Sequence, residues 1–67
     1  MIQVTVNGAA HRLEGPLHVR ALLERLEMAG KKIAVERNGE IVPRSLHGET
    51  LVEDGDRLEI VVAVGGG

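Results

Sequence analysis

Apolar residues change their spacing twice along this chain, and that change restricts the fold more than any single motif does. Ile2, Val4 and Val6 alternate with Gln3 and Thr5 near one end. Near the other, Leu58, Ile60, Val62 and Val64 share one side of an alternating run, with Glu59, Val61 and Ala63 on the other. A period of two places successive side chains on opposite faces of a strand. Between these runs Val19, Leu22, Leu23 and Leu26 fall at i, i+3, i+4 and i+7, one apolar stripe of a helix. Strands at both ends and a single amphipathic helix between them imply an α+β fold of two layers, the helix covering one face of a sheet.

Turn signals divide the rest. Asn7-Gly8 tolerates the positive φ of a tight hairpin, and a second strand follows over Ala10 to Glu14 with Leu13 inward. Gly15-Pro16 ends it. The helix is expected over about residues 18–28, weakly capped because His18 stands where Ser, Thr, Asp or Asn would serve better. Arg20, Glu24, Arg25 and Glu27 fall on its solvated side, and Gly30 is a natural stop. Ile33, Ala34 and Val35 form a third short strand, and Arg37-Asn38-Gly39-Glu40 is the clearest hairpin signal in the chain. Ile41 and Val42 return, and Pro43 cuts the strand short or confines it to an edge. Residues 44–53 read as irregular, anchored by Leu46 and Leu51, before a turn at Asp54-Gly55-Asp56 and a last strand from Arg57 to Val64. The count is four to five strands and one helix in a single domain over residues 1–64, with a glycine tail at 65–67.

Composition narrows the function. Sixty-seven residues without one cysteine allow neither a disulfide nor a thiolate metal site. Without Phe, Tyr or Trp the core is aliphatic, and no aromatic platform exists on which to stack a base. A net charge of −2 argues further against a surface that tracks phosphates. No apolar run approaches the roughly 18 residues of a membrane span, and Met1–Val6 lacks the basic-then-apolar layout of a signal peptide. A cytoplasmic location is the expectation.

Val64-Gly65-Gly66-Gly67 closes the sequence with almost no side chains. Glycine loses the most conformational freedom on ordering, so such an end is poorly suited to being held in place. Extended, it reaches roughly 13 Å, enough to pass through a narrow slot and present its carboxylate. A frayed terminus is the plain alternative.

Four stretches together settle a resemblance: Val6-Asn7-Gly8; the helix Val19-Arg20-Ala21-Leu22-Leu23; Val35-Glu36-Arg37-Asn38 with Ile41-Val42-Pro43-Arg44; and Asp54-Gly55-Asp56-Arg57-Leu58-Glu59-Ile60-Val61 running on to the glycines. They span nearly the whole chain. In order and spacing the sequence resembles the ubiquitin-like β-grasp proteins, and within them the sulfur carriers of thiamine biosynthesis. His18, where that family more often has a hydroxyl residue, is a small departure.

The resemblance implies a mixed sheet of four to five strands on one helix, with first and last strands adjacent at its centre. It implies a flexible tail, Gly65 to Gly67, that threads into a partner, with Gly67 as the group modified. A ubiquitin-activating-type adenylyltransferase would use ATP and Mg²⁺, neither held by this chain, to adenylate the Gly67 carboxylate. A sulfur donor such as a cysteine desulfurase would then supply the sulfur of a thiocarboxylate, and thiazole synthase would take it. Val61 and Ala63, opposite the core face of the last strand, are the expected docking residues, with Ala34 and Arg44 beside them. Sibling carriers for molybdopterin synthesis or tRNA thiolation share this logic, and a non-covalent interaction module would share the fold alone.

Other constellations reduce to structure. His11, His18 and His47 lack the spacing of paired metal ligands, and no metal site is expected. Asp54-x-Asp56 lacks the remaining positions of a calcium loop. Gly30-Lys31-Lys32 lacks the upstream glycine and following hydroxyl of a phosphate loop. Ser45, the only serine, has no base that the sequence places beside it. With no catalytic set, the chain reads as a carrier and substrate rather than an enzyme.

Overall fold

A computed structural model describes residues 1–62 of the chain. In order they form β1 (Ile2–Val6), β2 (Ala9–Leu13), β3 (Leu17–His18), α1 (Val19–Arg25), β4 (Ile33–Arg37), β5 (Glu40–Val42), a 3-10 turn (Arg44–Leu46), β6 (Leu51–Val52) and β7 (Arg57–Val62). Five strands make one mixed sheet in the order β2-β1-β7-β4-β5, and β3 with β6 makes a separate two-stranded ladder. β7 runs parallel to β1 and antiparallel to β4. First and last strands are therefore neighbours at the centre, as the resemblance implied, and the architecture is the ubiquitin-like β-grasp.

The two Asn-Gly hairpins form for the reason their sequence gives. Asn7 and Gly8 have φ of 50° and 83°, and Asn38 and Gly39 have 53° and 86°. Two successive positive φ angles match the right-handed twist of the flanking strands. These turns fix the register of β1 with β2 (Val6 opposite Ala9) and of β4 with β5 (Arg37 opposite Glu40).

Register sorts the side chains by face. Ile2, Val4 and Val6 of β1, Val35 of β4, Val42 of β5, and Leu58 and Ile60 of β7 are all buried, and Val19, Leu22 and Leu23 of α1 close over them. No aromatic is needed, because Leu22, Leu58, Val4, Val19, Val35 and Val52 are almost wholly enclosed. Each such side chain contributes about 1.5–3 kcal/mol by burial.

Three expectations need correction. Residues 44–53 are not irregular: they hold the 3-10 turn and β6, which pairs with β3 through Leu17–Val52 and His18–Leu51. Leu46 and Leu51, expected to anchor that segment, are exposed, while Val52 and His47 are buried. His47 Nε2 donates to the Val42 carbonyl at 3.1 Å, so the ring is held without a salt partner. The segment also supplies the cap that His18 lacks, since the Thr50 and His47 carbonyls accept from Val19 N and Arg20 N at 2.9 and 2.8 Å. Backbone carbonyls thereby satisfy donors that a side chain satisfies in most helices.

The third correction concerns the helix end. α1 stops at Arg25, well before Gly30, because Glu27 takes a left-handed φ of 59°. Met28 N donates to the Leu23 carbonyl at 2.8 Å and Glu27 N to that of Glu24 at 3.1 Å, the paired bonds of a Schellman cap. Met28 packs on the core as its apolar contact. Gly30, with φ of 86°, belongs to the following loop. A residue with a Cβ at this cap carries about 1–2 kcal/mol of strain, partly offset because glycine has more freedom to lose. Glu27→Gly is therefore expected to stabilise the domain by up to about 1 kcal/mol in urea unfolding at pH 7.

Candidate functional site: the central strand and the open sheet face

β7 leads towards the glycine tail, and the structure fixes it from both sides. On the β1 side, Thr5 N donates to the Asp56 carbonyl at 3.0 Å and Asn7 N to the Leu58 carbonyl at 2.9 Å. β1 then turns away at Asn7, but its side chain stays. Asn7 Nδ2 donates to the Ile60 carbonyl at 3.0 Å, and Oδ1 accepts from Ile60 N at 2.7 Å. One amide side chain thus replaces the peptide group a longer β1 would have offered, extending the ladder along β7.

On the β4 side the start of β7 is locked by Asn38 and Asp56. Asn38 N donates to the Arg57 carbonyl at 2.8 Å, and Arg57 N donates to Asn38 Oδ1 at 2.9 Å. Asp56, 7% exposed, accepts from Arg37 Nε at 2.7 Å, Asn38 Nδ2 at 3.1 Å and Glu53 N at 2.8 Å. Burial of the carboxylate acts to raise its pKa. The bonds from Glu53 N, Arg37 and Asn38, with the charge of Arg37, outweigh it and hold the group below its ordinary value. The acid that the sequence placed in a turn is also the keystone of that turn.

Alternation along the strands leaves Ala34, Glu36, Ile41, Glu59 and Val61 on the sheet face that α1 does not cover. Ala34 lies directly opposite Val61, and Glu36 lies opposite both Glu59 and Ile41. Val61 is 62% exposed and Ile41 64%, so the face carries an uncovered apolar patch. Glu36 and Glu59 meet as like charges across two strands, an arrangement that costs stability unless an opposing charge arrives.

The structure brings together two of the expected docking residues, Ala34 and Val61. Arg44 is not with them: it opens the 3-10 turn and lines a groove with Leu23 and Ile33, on the helix side of the sheet. Ala63, Gly65, Gly66 and Gly67 lie outside the described residues. Ile41 is the apolar member that sequence reasoning missed. Ile41 and Val42 are adjacent and equally apolar, and only the register, Val42 opposite Val35, shows which one faces out. Among the described residues no three His, Cys, Asp or Glu side chains gather as metal ligands, and no helix is long and apolar enough to cross a membrane.

A family model described as the ThiS family matches residues 4–67. The chain belongs to that family. A crystal structure of the thiamine biosynthesis protein ThiS from Geobacter metallireducens superposes with a TM-score of 0.85 at 38% identity, covering 98% of this chain and all of that one. A protein named ycf40 from Porphyra purpurea is 35% identical over 66 residues, 98% of this chain and 93% of its own length. A thiazole synthase from Paramagnetospirillum magneticum is 44% identical over 66 residues, again 98% of this chain. The match spans only 20% of that enzyme, and a thiazole synthase from Magnetococcus marinus shows the same share at 35% identity. This chain thus corresponds to about a fifth of the thiazole synthases it resembles.

Asp56 gives the site a measurable acid response. Its folded pKa lies below the unfolded one, so its contribution is complete at neutral pH and is lost as pH falls below about 4 and through the folded value. Asp56→Asn is expected to lose about 1.5–3 kcal/mol at pH 7, where charged hydrogen bonds disappear. Urea unfolding from pH 7 to pH 3 is expected to show a shallower loss in the variant than in the parent; parallel curves would remove Asp56 from this role.

Proposed function

We propose that this protein is a sulfur carrier of thiamine biosynthesis, itself the substrate of partner enzymes. The observation that carries the proposal is the family match, which runs through the glycines to Gly67; in sequence those glycines lie a few residues beyond the sheet's central strand. The absence of cysteine from this sequence fits, because no side-chain thiol is available to carry the sulfur.

Chemistry defines what the partners must do. A terminal carboxylate, with an ordinary pKa near 3.5, is ionised at neutral pH and is a poor electrophile. Attack of a Gly67 carboxylate oxygen on the α-phosphorus of ATP, with Mg²⁺ on the activating enzyme, forms an acyl adenylate and releases pyrophosphate. A persulfide-type donor, such as one charged by a cysteine desulfurase, then displaces AMP to give an acyl disulfide, and a thiol reductant cleaves its S–S bond, releasing the donor as a thiol and leaving the thiocarboxylate. Thiazole synthase is the proposed acceptor, supported by the kinship of this chain to a fifth of two thiazole synthases. A cytoplasmic location fits a carrier that meets these enzymes.

The body has an energetic task. Ordering three glycines costs about 1–2 kcal/mol each, and no side chain offsets that loss. Docking of the open face, with Val61, Ile41 and Ala34 at its apolar centre, supplies binding energy that the tail lacks. Ala63 continues the same face in the sequence pattern.

Incubation with the adenylyltransferase, ATP, Mg²⁺ and a sulfur donor is expected to add about 16 Da, oxygen replaced by sulfur at Gly67, in an intact-mass spectrum. No shift with a demonstrably active enzyme would favour a non-covalent interaction module. A loaded carrier that gives no thiazole with thiazole synthase and its substrates would point instead to molybdopterin or tRNA thiolation. Removal of Gly67 is expected to abolish loading with no change in unfolding free energy, and a destabilised variant would contradict the separation of body and tail.

Val61→Asp addresses docking separately. The side chain is outward, so the fold is expected to persist while the KM for loading rises about tenfold or more and the turnover rate stays near that of the parent. An unchanged KM would take Val61 out of the interface.

A further inference from the structure

On the side of the sheet away from Ala34 and Val61, a groove of about 220 Å³ lies between α1, the loop before β4 and the start of the 3-10 turn. Its buried lining, or floor, is Leu23 of the helix and the half-buried Ile33 of β4, with the buried His47 ring beside them. Its rim is cationic: Arg20, Lys31 and Arg44 arrive from three separate segments, against the single carboxylate of Glu24.

The charges of this rim differ from the two arginines that are salt-bridged. Arg25 lies 3.3 Å from Glu14, and Arg37 lies 2.7 Å from Asp56. No ion pair within 4.0 Å engages Arg20, Lys31 or Arg44 among the described residues. An acidic chain, net −2, thus places three cations and one carboxylate around a single groove, the cations without an ion-pair partner among the described residues. Neighbouring like charges in partly shielded surroundings repel one another, and an incoming anion relieves that repulsion.

We propose that this groove docks a segment of a partner protein that presents carboxylates beside an apolar side chain. Charge complementarity selects the carboxylates, and the Leu23–Ile33 floor selects the apolar group. The long stems of Arg20, Lys31 and Arg44 can lie along apolar surface while their heads meet acids above it. A compact inorganic anion would meet the rim and leave the floor uncovered. The inference does not depend on sulfur transfer, because it uses no residue of the tail or of the open face. Occupancy on one side of the sheet leaves the other free, so the carrier body can hold two protein surfaces at once.

The test is an amide-resolved NMR titration of the full chain with an end-capped six-residue peptide alternating leucine and aspartate. Perturbations are expected over residues 20–24, 29–33 and 44–47, with saturation in the millimolar range or below and weakening at higher salt. Lys31→Glu and Arg44→Glu, both at exposed positions, are each expected to raise the dissociation constant about fivefold or more while the spectrum stays that of a folded domain. Three results overturn the proposal: equal binding of a control peptide with asparagine in place of each aspartate, perturbations centred on residues 59–61, or binding unaltered by both charge reversals. Inorganic phosphate reproducing the peptide's map at the same concentration would also overturn it, showing a nonspecific anion site.

Discussion

The placement of one strand between two neighbours of opposite direction is the constraint on which this molecule depends. β7 meets β1 in parallel and β4 in antiparallel pairing, so both of its backbone edges are occupied. Leu58 and Ile60 reach the core from it, and Val61 and Glu59 face out. A slip of one residue would exchange these sets, burying a carboxylate and exposing two of the core's side chains. Apolar burial alone cannot prevent such a slip, because it is non-directional. Direction and register come from polar contacts: Asn7 is tied to Leu58 and Ile60, Asn38 to Arg57, and Asp56 holds Arg37, Asn38 and Glu53 together just before the strand.

Magnitudes set these roles side by side. Leu58 and Ile60 together contribute about 3–6 kcal/mol by burial. The neutral hydrogen bonds of Asn7 and Asn38 add about 0.5–1.5 kcal/mol each, and those of the Asp56 carboxylate about 1.5–3 each. The polar set is therefore no smaller than the apolar one, and it is more exacting in geometry. Asn7 shows the difference: its amide does the work of a peptide group after the strand has ended, and aspartate at the same place would lack the donor that Ile60 O requires.

Much of this was legible before any coordinates. Period-two runs marked β1 and β7, the i, i+3, i+4, i+7 stripe marked α1, and two Asn-Gly pairs marked the hairpins. What escaped was whatever depends on contacts far apart in sequence. The helix cap comes from the Thr50 and His47 carbonyls, some thirty residues on from the donors, and no local pattern announces it. Its far end is set by Glu27 in a left-handed conformation, which residue preferences oppose, so Gly30 drew the boundary too late. β6 has two residues, too few to show a period. At the site, Val61 could be placed on the outer face by alternation, whereas Ile41 could not, since its neighbour Val42 is just as apolar. Arg44 follows Pro43 beside the sheet but is carried by the 3-10 turn to the helix side.

The two layers consequently give the body two unlike surfaces. The open face is apolar at Val61, Ile41 and Ala34, with the Glu36–Glu59 pair across its strands; the helix-side groove is ringed by Arg20, Lys31 and Arg44. A glycine tail needs such a body because three side-chain-free residues gain little on binding and lose about 3–6 kcal/mol of conformational freedom. Affinity then comes from residues that are already ordered, such as those of the sheet. With Ile60 held by the Asn7 side chain and Val62 paired with Ile33 of β4, the strand that precedes the glycines in sequence is positioned from both sides.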